Sequence, residues 1–520
     1  MEYFNKMLEA MNWRPKEADN TPKLQAIDGS AARKTLLPTH KITYRFLSFD
    51  ELKNSDTIQL ISEELSVPSS IVREDLERLE KGMKKKMTVC LEYPYVDEYY
   101  RDTYYSYYAR KHSNYNRFCI RLSFFSNDVT ENNFYTADLD SFFYGYMVLR
   151  PTPKRIVGYT FLSPKIYSVH NFVSCLCERA ISVKGRIIKV QGFPFCGQDG
   201  EMNTCSETAV SIIFDYFSRR YNKYSRLLPS QIYDCISRNT IERTQPSQGI
   251  DSNSVVSIMR AKGMNTRLYV KETSTMPANN IDVFDAQHFK KLLHIYIESG
   301  FPIYAVNSEH AFVIIGRGTK LFSGKTGLVI MNDNRKPYLQ KNMDNEITEF
   351  VVPMSENILL DANKIDPTTV CESIQVTYTK VLAPDWDKMD VYHRIFLTTS
   401  RSFKMHVVNL NLSGNLSAEN RDRIVSITMP RFVWVCETFK TEDGNKTPKD
   451  IDVLTLAVFD TTEVAEGYNH LLFLKTQNSI MVPSDNGTLT RQKEFSVYES
   501  KEQVHPFMNN LKGEHNNWQI

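Results

Sequence analysis

Apolar and polar positions alternate from Ile42 to Leu47 as in a strand, and Ser48-Phe-Asp-Glu51 then offers a capping box. Helical spacing follows at about 50–64 and 69–86, the second stretch after Pro68-Ser69-Ser70. Tyr144–Leu149 and Ile156–Leu162 read as strands flanking the turn Arg150-Pro-Thr-Pro153. Ile187–Gln191 is a short strand, after which Gly192, Pro194, Gly197 and Gly200 interrupt regular structure up to about residue 204. At Cys205 the period changes. Val210, Ile213, Phe214 and Phe217 recur at helical spacing, widened by Ala209, Ile212 and Tyr216. Gly249–Gly263 predicts a capped helix with a glycine stop, and Thr266–Val270 a strand. Phe289, Leu292, Leu293, Tyr296 and Ile297 form a helical stripe ending at Gly300, followed by strands at Phe301–Val306, His310–Gly316 and Leu328–Met331. Beyond 351, helices are expected near 369–381 and 416–423, and strands near 405–411, 432–438, 452–459 and 470–475.

These patterns divide the chain into an arm (1–40), an α+β region (41–185), a middle region that puts a helix before a run of strands (186–350), and a second α+β region (351–520). In the arm, Met7, Leu8 and Met11 suggest a short amphipathic helix, and Pro15, Pro22 and Pro38 break up the residues after it. With 520 residues and about 150 per domain, three domains are expected. Hydrophobic content of 42% and charged content of 24% are those of a globular chain. A formal net charge of +2 gives no bulk electrostatic case for nucleic acid. No apolar run approaches the roughly 20 residues that span a bilayer, and no membrane association is expected. The N-terminus carries acids early and lacks a signal-peptide core, so a cytoplasmic location is expected. Nine scattered cysteines, an odd number, point to reduced thiols. Cys175-Leu-Cys177 lacks zinc spacing, and neither a metal nor a cofactor is expected. The tyrosine-dense segment 93–118 interleaves bases with aromatics; without a wider basic field it reads as a partly buried surface rather than a stacking platform.

Cys205 sits where a helix begins, at a place where unpaired backbone N–H groups and the helix dipole favour a thiolate. A nucleophilic thiol needs a base, a group to orient that base, and donors for an oxyanion. The same region supplies His310 at a strand start, Asp333 (or Asn332 beside it) at the end of the next strand, and Gln198 in the loop before Cys205. Each of these alone is an ordinary residue: a buried thiol, a strand histidine, a turn carboxylate, a solvated amide. Cys196, in a turn without a helix directly after it, is the rival nucleophile. His288 and His294 lie six apart on one helix, off metal pairing, and read as surface and packing residues. Lys84-Lys85-Lys86 reads as a solvated helix end.

The segment around Cys205 resembles the nucleophile segment of papain-like cysteine peptidases of the C39-like type. Cys205, Thr208 and Ala209 match a Cys-Gly-Pro-Thr-Ala helix start, and Ser206 and Glu207 depart from it. His310-Ala-Phe-Val-Ile-Ile-Gly316 is similar to that family's histidine strand. Met331-Asn-Asp-Asn334 is similar to its aspartate turn, with Asn334 where proline is usual. Gly300-Phe-Pro-Ile303 and Gly249–Gly263 also fit. The resemblance covers 186–350 only. It implies a papain-like catalytic domain flanked by two α+β domains, with Cys205 as nucleophile, His310 as base, Asp333 as orienter and Gln198 as oxyanion donor. Gln198 precedes Cys205 by seven positions (205 − 198), one more than is common in the family, so the loop must bulge or another donor must serve. The expected activity is thiol hydrolysis of peptide or isopeptide bonds in a protein or peptide substrate, with room for a regulatory protein partner. The alternatives are an inactive papain-like scaffold serving as an interaction module, and an acyl transferase that uses the same thioester.

Overall fold

The chain's first turn is set by side-chain capping. Ser48 N donates to Glu51 Oε2 (2.6 Å) and Glu51 N to Ser48 Oγ (3.3 Å), a reciprocal capping box. It ends strand β1 (Thr43–Ser48) and leads to helices α1 (Ser55–Leu65) and α2 (Ser69–Glu80). A computed structural model describes residues 41–512, apart from 170, 238–245, 248, 274–282, 309, 321–326, 355–357, 359–378, 380–389, 447–449, 463–469 and 485–493. The expected arm helix at Met7–Met11 and nearly all of the 369–381 stretch lie outside the described residues.

Among the described residues three sheets carry the fold, and the architecture is α+β. The first has the order β1–β2–β3–β4–β5–β8–β7. Its strands are β2 (Met87–Tyr95), β3 (Cys119–Ser126), β4 (Phe143–Leu149), β5 (Val157–Leu162), β7 (Cys177–Val183) and β8 (Arg186–Cys196), with helix α3 (Glu98–Ser106) after β2. The short β6 (Phe172–Ser174) leaves for the second sheet. That sheet has the order β10–β9–β15–β11–β12–β13–β14, with β6 also on β12. It is built from β9 (Asn265–Lys271), β10 (Val283–Phe284), β11 (Ile303–Val306), β12 (Ala311–Gly318), β13 (Leu328–Met331), β14 (Leu339–Lys341) and β15 (Glu349–Met354). Helix α4 (Cys205–Arg220) packs on both sheets, against β8 and β12; α5 (Pro229–Ser237) packs on neighbouring helices, α6 (Ser252–Ala261) on β9 and β15, and α7 (Ala286–Glu298) on β12 and on the first strand of the third sheet. The third sheet is a meander of β16 (Val391–Thr399), β17 (Phe432–Lys440), β18 (Thr455–Asp460), β19 (Leu471–Lys475), β20 (Ser479–Pro483) and β21 (Phe495–Glu499), covered by α8 (Ser400–Leu412) and α9 (Ala418–Val425).

Ile42–Ile520 forms one compact unit. The divisions read from the sequence at 185 and 350 fall in the turn of the β7–β8 hairpin and inside β15. One hydrophobic cluster runs through the first two sheets and takes in Trp434 and Cys436 of β17; a second lies beneath α8 and α9. Gly316 owes its place to a close approach, because a Cβ there would meet Val173 O of β6 at 2.0 Å. No helix among the described residues is long and apolar enough to cross a membrane.

Several elements differ from the sequence expectation. Residues 405–411 are helical, within α8. The Thr399 side chain caps the helix by accepting from Ser402 N at 3.1 Å, and Phe403, His406, Val407 and Leu410 form its buried stripe. The short alternation Met405-His-Val-Val imitated a strand because that stripe passes through it. Strand β8 does not stop at Gln191. It runs on through Gly192 and Pro194 because Phe193–Cys196 pair with β5. Helix α2 ends at Glu80, so Lys84–Lys86 lie in the turn into β2 rather than on a helix end.

Candidate active site

Strand β8 delivers the chain to Cys196, and α4 starts at Cys205. The intervening loop is wound around Asp199. Its buried Oδ1 accepts from the N–H groups of Glu201 (2.9 Å), Met202 (2.8 Å) and Asn203 (2.9 Å). Arg150, fully buried, fixes its upstream edge by donating from Nη2 to Gly197 O at 2.8 Å and from Nε to Thr152 Oγ1 at 3.2 Å. A side chain on Gly197 would meet Val157 O at 2.5 Å, so only glycine lets the loop lie this close to β5. From the tyrosine-dense segment, Tyr107 OH donates to Glu201 Oε2 at 3.2 Å, and Lys111 pairs with the same carboxylate among the rings of Tyr107, Tyr108 and Tyr115. Tyr99, Tyr100 and Tyr108 are buried.

The two departures from the resembled helix start have structural work. Glu207 is fully buried. It takes hydrogen bonds from the hydroxyls of Thr204 and Ser247 and, at 3.1 Å, from Tyr233 OH of α5. Ser206 Oγ meets Tyr304 OH of β11 at 3.0 Å. Because Thr204 spends its hydroxyl on Glu207, it makes no side-chain cap on α4. No side-chain cap therefore takes the first-turn N–H groups of α4.

His310 stands at the entry to β12. Its N–H donates to Asn307 Oδ1 at 2.8 Å, and Asn307 N donates back to His310 O at 3.0 Å. Antiparallel pairing of β12 with β13, Val313 opposite Met331, brings the ring to the turn after β13. There Nε2 lies 3.1 Å from Asn332 Oδ1 and 3.0 Å from Asp333 Oδ1. The hydrogen-bond geometry is satisfied toward Asn332. The buried Asp333 carboxylate lies against the same nitrogen and adds its charge there. With Nε2 occupied by the turn, Nδ1 is the nitrogen left for the Cys205 sulfur. Burial disfavours a charged ring, but Asp333 and the hydrogen-bonded Cys205 sulfur outweigh it and lift His310 to about 10. The ring therefore holds its proton at neutral pH.

Gln198 is brought to the same turn. Its amide nitrogen donates to Asn334 Oδ1, and Asn334 N donates to Asn332 Oδ1 at 2.9 Å. The chain of contacts thus runs Gln198–Asn334–Asn332–His310. The sequence named Asn332 only beside Asp333 and gave Asn334 no role. The Asn-Asp-Asn run is a turn signature in which a side-chain oxygen accepts from the backbone two residues on, and that signal was present. Asp199-Gly200 likewise carried the turn signal of an Asp-Gly pair, whereas Arg150 carried no local signal, meeting its partner 47 residues away.

Cys196 is fully buried on β8, and burial pushes its thiol up to about 12, with nearby Arg150 opposing. Cys205, by contrast, is only partly buried. The two thiols line a cavity of about 10 Å³ with Phe195, Ala209, Phe312 and Met331, room for about one water. His294 Nε2 contacts Asp344 Oδ2 at 2.9 Å on the far side of α7 and takes no part.

No family model matches this chain, and no curated protein is significantly similar to it.

Proposed function

We propose that this chain is a cysteine hydrolase of peptide or related amide bonds, built on a papain-like core. The observation that carries this reading is the His310 ring, held at Nε2 by Asn332 and Asp333 and within hydrogen-bonding reach of the Cys205 sulfur. In the proposed cycle the shared proton rests on His310. The Cys205 sulfur attacks the carbonyl carbon, a C–S bond forms and the π pair moves to oxygen. First-turn N–H groups of α4 face that oxyanion, joined by the Gln198 amide. Collapse breaks the C–N bond as His310 gives its proton to the leaving amine. Neutral His310 then takes a proton from water, whose oxygen attacks the thioester. The C–S bond breaks, the acid leaves and the starting pair is restored.

The substrate is a protein or peptide, and the cytoplasm is the proposed location; the eight described cysteines are all free thiols. One observation favours the inactive scaffold instead: the Gln198 amide already donates to Asn334. Alkylation by iodoacetamide followed by peptide mapping decides between the two. Hydrolase chemistry requires Cys205 to react on the order of tenfold faster than a free thiol or more, with labelling lost in Cys205→Ala and slowed in His310→Ala. Labelling at the free-thiol rate, unaffected by His310→Ala, supports the scaffold. Acyl transfer is read separately, by adding amines to a preformed acyl-enzyme: faster release as an amide marks a transferase.

A further inference from the structure

The turn between α2 and β2 holds Lys81, Lys84, Lys85 and Lys86, and its backbone is firmly tied. Met83 N donates to Glu80 O at 2.8 Å, Lys84 N to Ile166 O at 2.9 Å and Ser168 N to Gly82 O at 3.0 Å. Met83 is buried beneath it, and Lys336 Nζ donates to Lys81 O at 2.8 Å. Facing the turn across a concavity of about 660 Å³ are Phe49 and Lys53, at the junction of β1 and α1. The one carboxylate in the lining, Glu80, is neutralised by Lys53. Lys81, Lys84, Lys85 and Lys86 have no ion pair among the described residues. Two of the ammonium groups are held over aromatic faces, Lys53 over Phe49 at 5.2 Å and Lys84 over Tyr144 at 5.0 Å.

We propose that this concavity is a binding site for a small oligophosphate. Four lysines with no anionic partner around one hollow repel each other, and a multivalent anion removes that repulsion while accepting several charge-assisted hydrogen bonds. The volume lies in the small-molecule range of roughly 300–1,000 Å³. The unpaired charges are gathered on one short turn, at 81 and 84–86, instead of being spaced along a groove, which fits a compact polyanion better than an extended acidic peptide. The fixed backbone presents the lysine stems already gathered, so little ordering is required on binding. The site is separate from Cys205, and its existence does not depend on the thiol chemistry.

Calorimetric titration of the full chain with inositol hexakisphosphate, with inorganic tripolyphosphate and with oligoglutamate tests the proposal. Saturable binding of the two phosphate compounds is expected, weakened as salt is raised. Lys84→Gln/Lys85→Gln/Lys86→Gln should lose about tenfold or more in affinity while keeping the wild-type melting temperature and circular dichroism. Should that triple variant fold poorly, Lys81→Gln, at an exposed position, takes its place. Absence of phosphate binding, or binding untouched by these substitutions, overturns the site. Oligoglutamate binding as tightly as the phosphates overturns the ligand class in favour of an acidic peptide.

Discussion

His310 draws opposing influences: burial acts against its charge, and the Asp333 carboxylate and Cys205 sulfur act for it. The sign follows from a folded value near 10 against about 6.5 in the unfolded chain. The stabilisation is fully present below 6.5 and is lost as pH rises through about 10. NMR titration of the His310 ring should find this high midpoint, and Asp333→Asn and Cys205→Ala should each move it down; a wild-type midpoint near 6.5 would contradict the arrangement. Asn332 and Asp333 contribute differently. Asn332→Ala removes the aligned acceptor at Nε2 and should lower kcat by roughly a hundredfold, leaving the charge beside the ring. Asp333→Asn should act mainly on the pH profile. Measuring kcat across pH for both separates orientation from charge, and identical profiles would mean that they do not divide the work this way. These residues were legible because each sits at an element boundary, where turn and cap chemistry leaves a local trace. What was not legible was which oxygen of the Asn-Asp-Asn turn lies along the ring N–H, since that depends on turn dihedrals.

The first turn of α4 is held from outside the helix. Glu207 gathers the Thr204, Tyr233 and Ser247 hydroxyls in a fully buried site. Glu207→Ala deprives the Thr204 and Ser247 hydroxyls of their acceptor, while Tyr233 OH keeps Met202 O, and it should destabilise the chain by about 2–3 kcal/mol, with Glu207→Gln closer to wild type because one oxygen remains. Urea denaturation measures both, and a loss below about 1 kcal/mol for the alanine variant would show that water replaces the carboxylate. At this scale the helix was readable from its apolar stripe, and Glu207 stood out only as a mismatch to the resembled pattern. Its partners lie 26 and 40 residues away, on segments that no periodicity links to it. The same limit explains β8. Gly192 and Pro194 are strand breakers by local propensity, and pairing with β5 overrides them. At α8 a segment of seven residues was too short to separate a helical stripe from alternation.

The third sheet is joined to α7 and the second sheet by a buried charge network. Arg394 of β16 reaches Glu298 at the end of α7 (2.7 Å) and Glu437 of β17 (2.7 Å), and it donates to Phe507 O at 2.8 Å. Glu298 also pairs with Arg317, on the strand that His310 opens. Burial opposes the charge on Glu298, but the two guanidinium groups prevail and hold its carboxyl down at about 2. This contribution is therefore present above the ordinary carboxylate range and is lost only as pH falls through about 2. Burial raises Glu437, against the pull of Arg394. Removing the arginine alone, as Arg394→Met, strands Glu437 in an apolar setting and should cost about 3–5 kcal/mol. Glu437→Leu alone leaves Phe507 N without its acceptor (2.7 Å) and Arg394 with one carboxylate fewer. In Arg394→Met/Glu437→Leu neither charge is left unpaired, so the double variant should be less destabilised than the sum of the two single changes, by about 1–3 kcal/mol in a thermodynamic cycle. If the third sheet folds together with the strands of the candidate site, each variant should still unfold in one transition that shifts as a whole. Additive effects, or a separate early transition of residues 391–499 with the Cys205 region intact, would show that the network joins two independently folding parts.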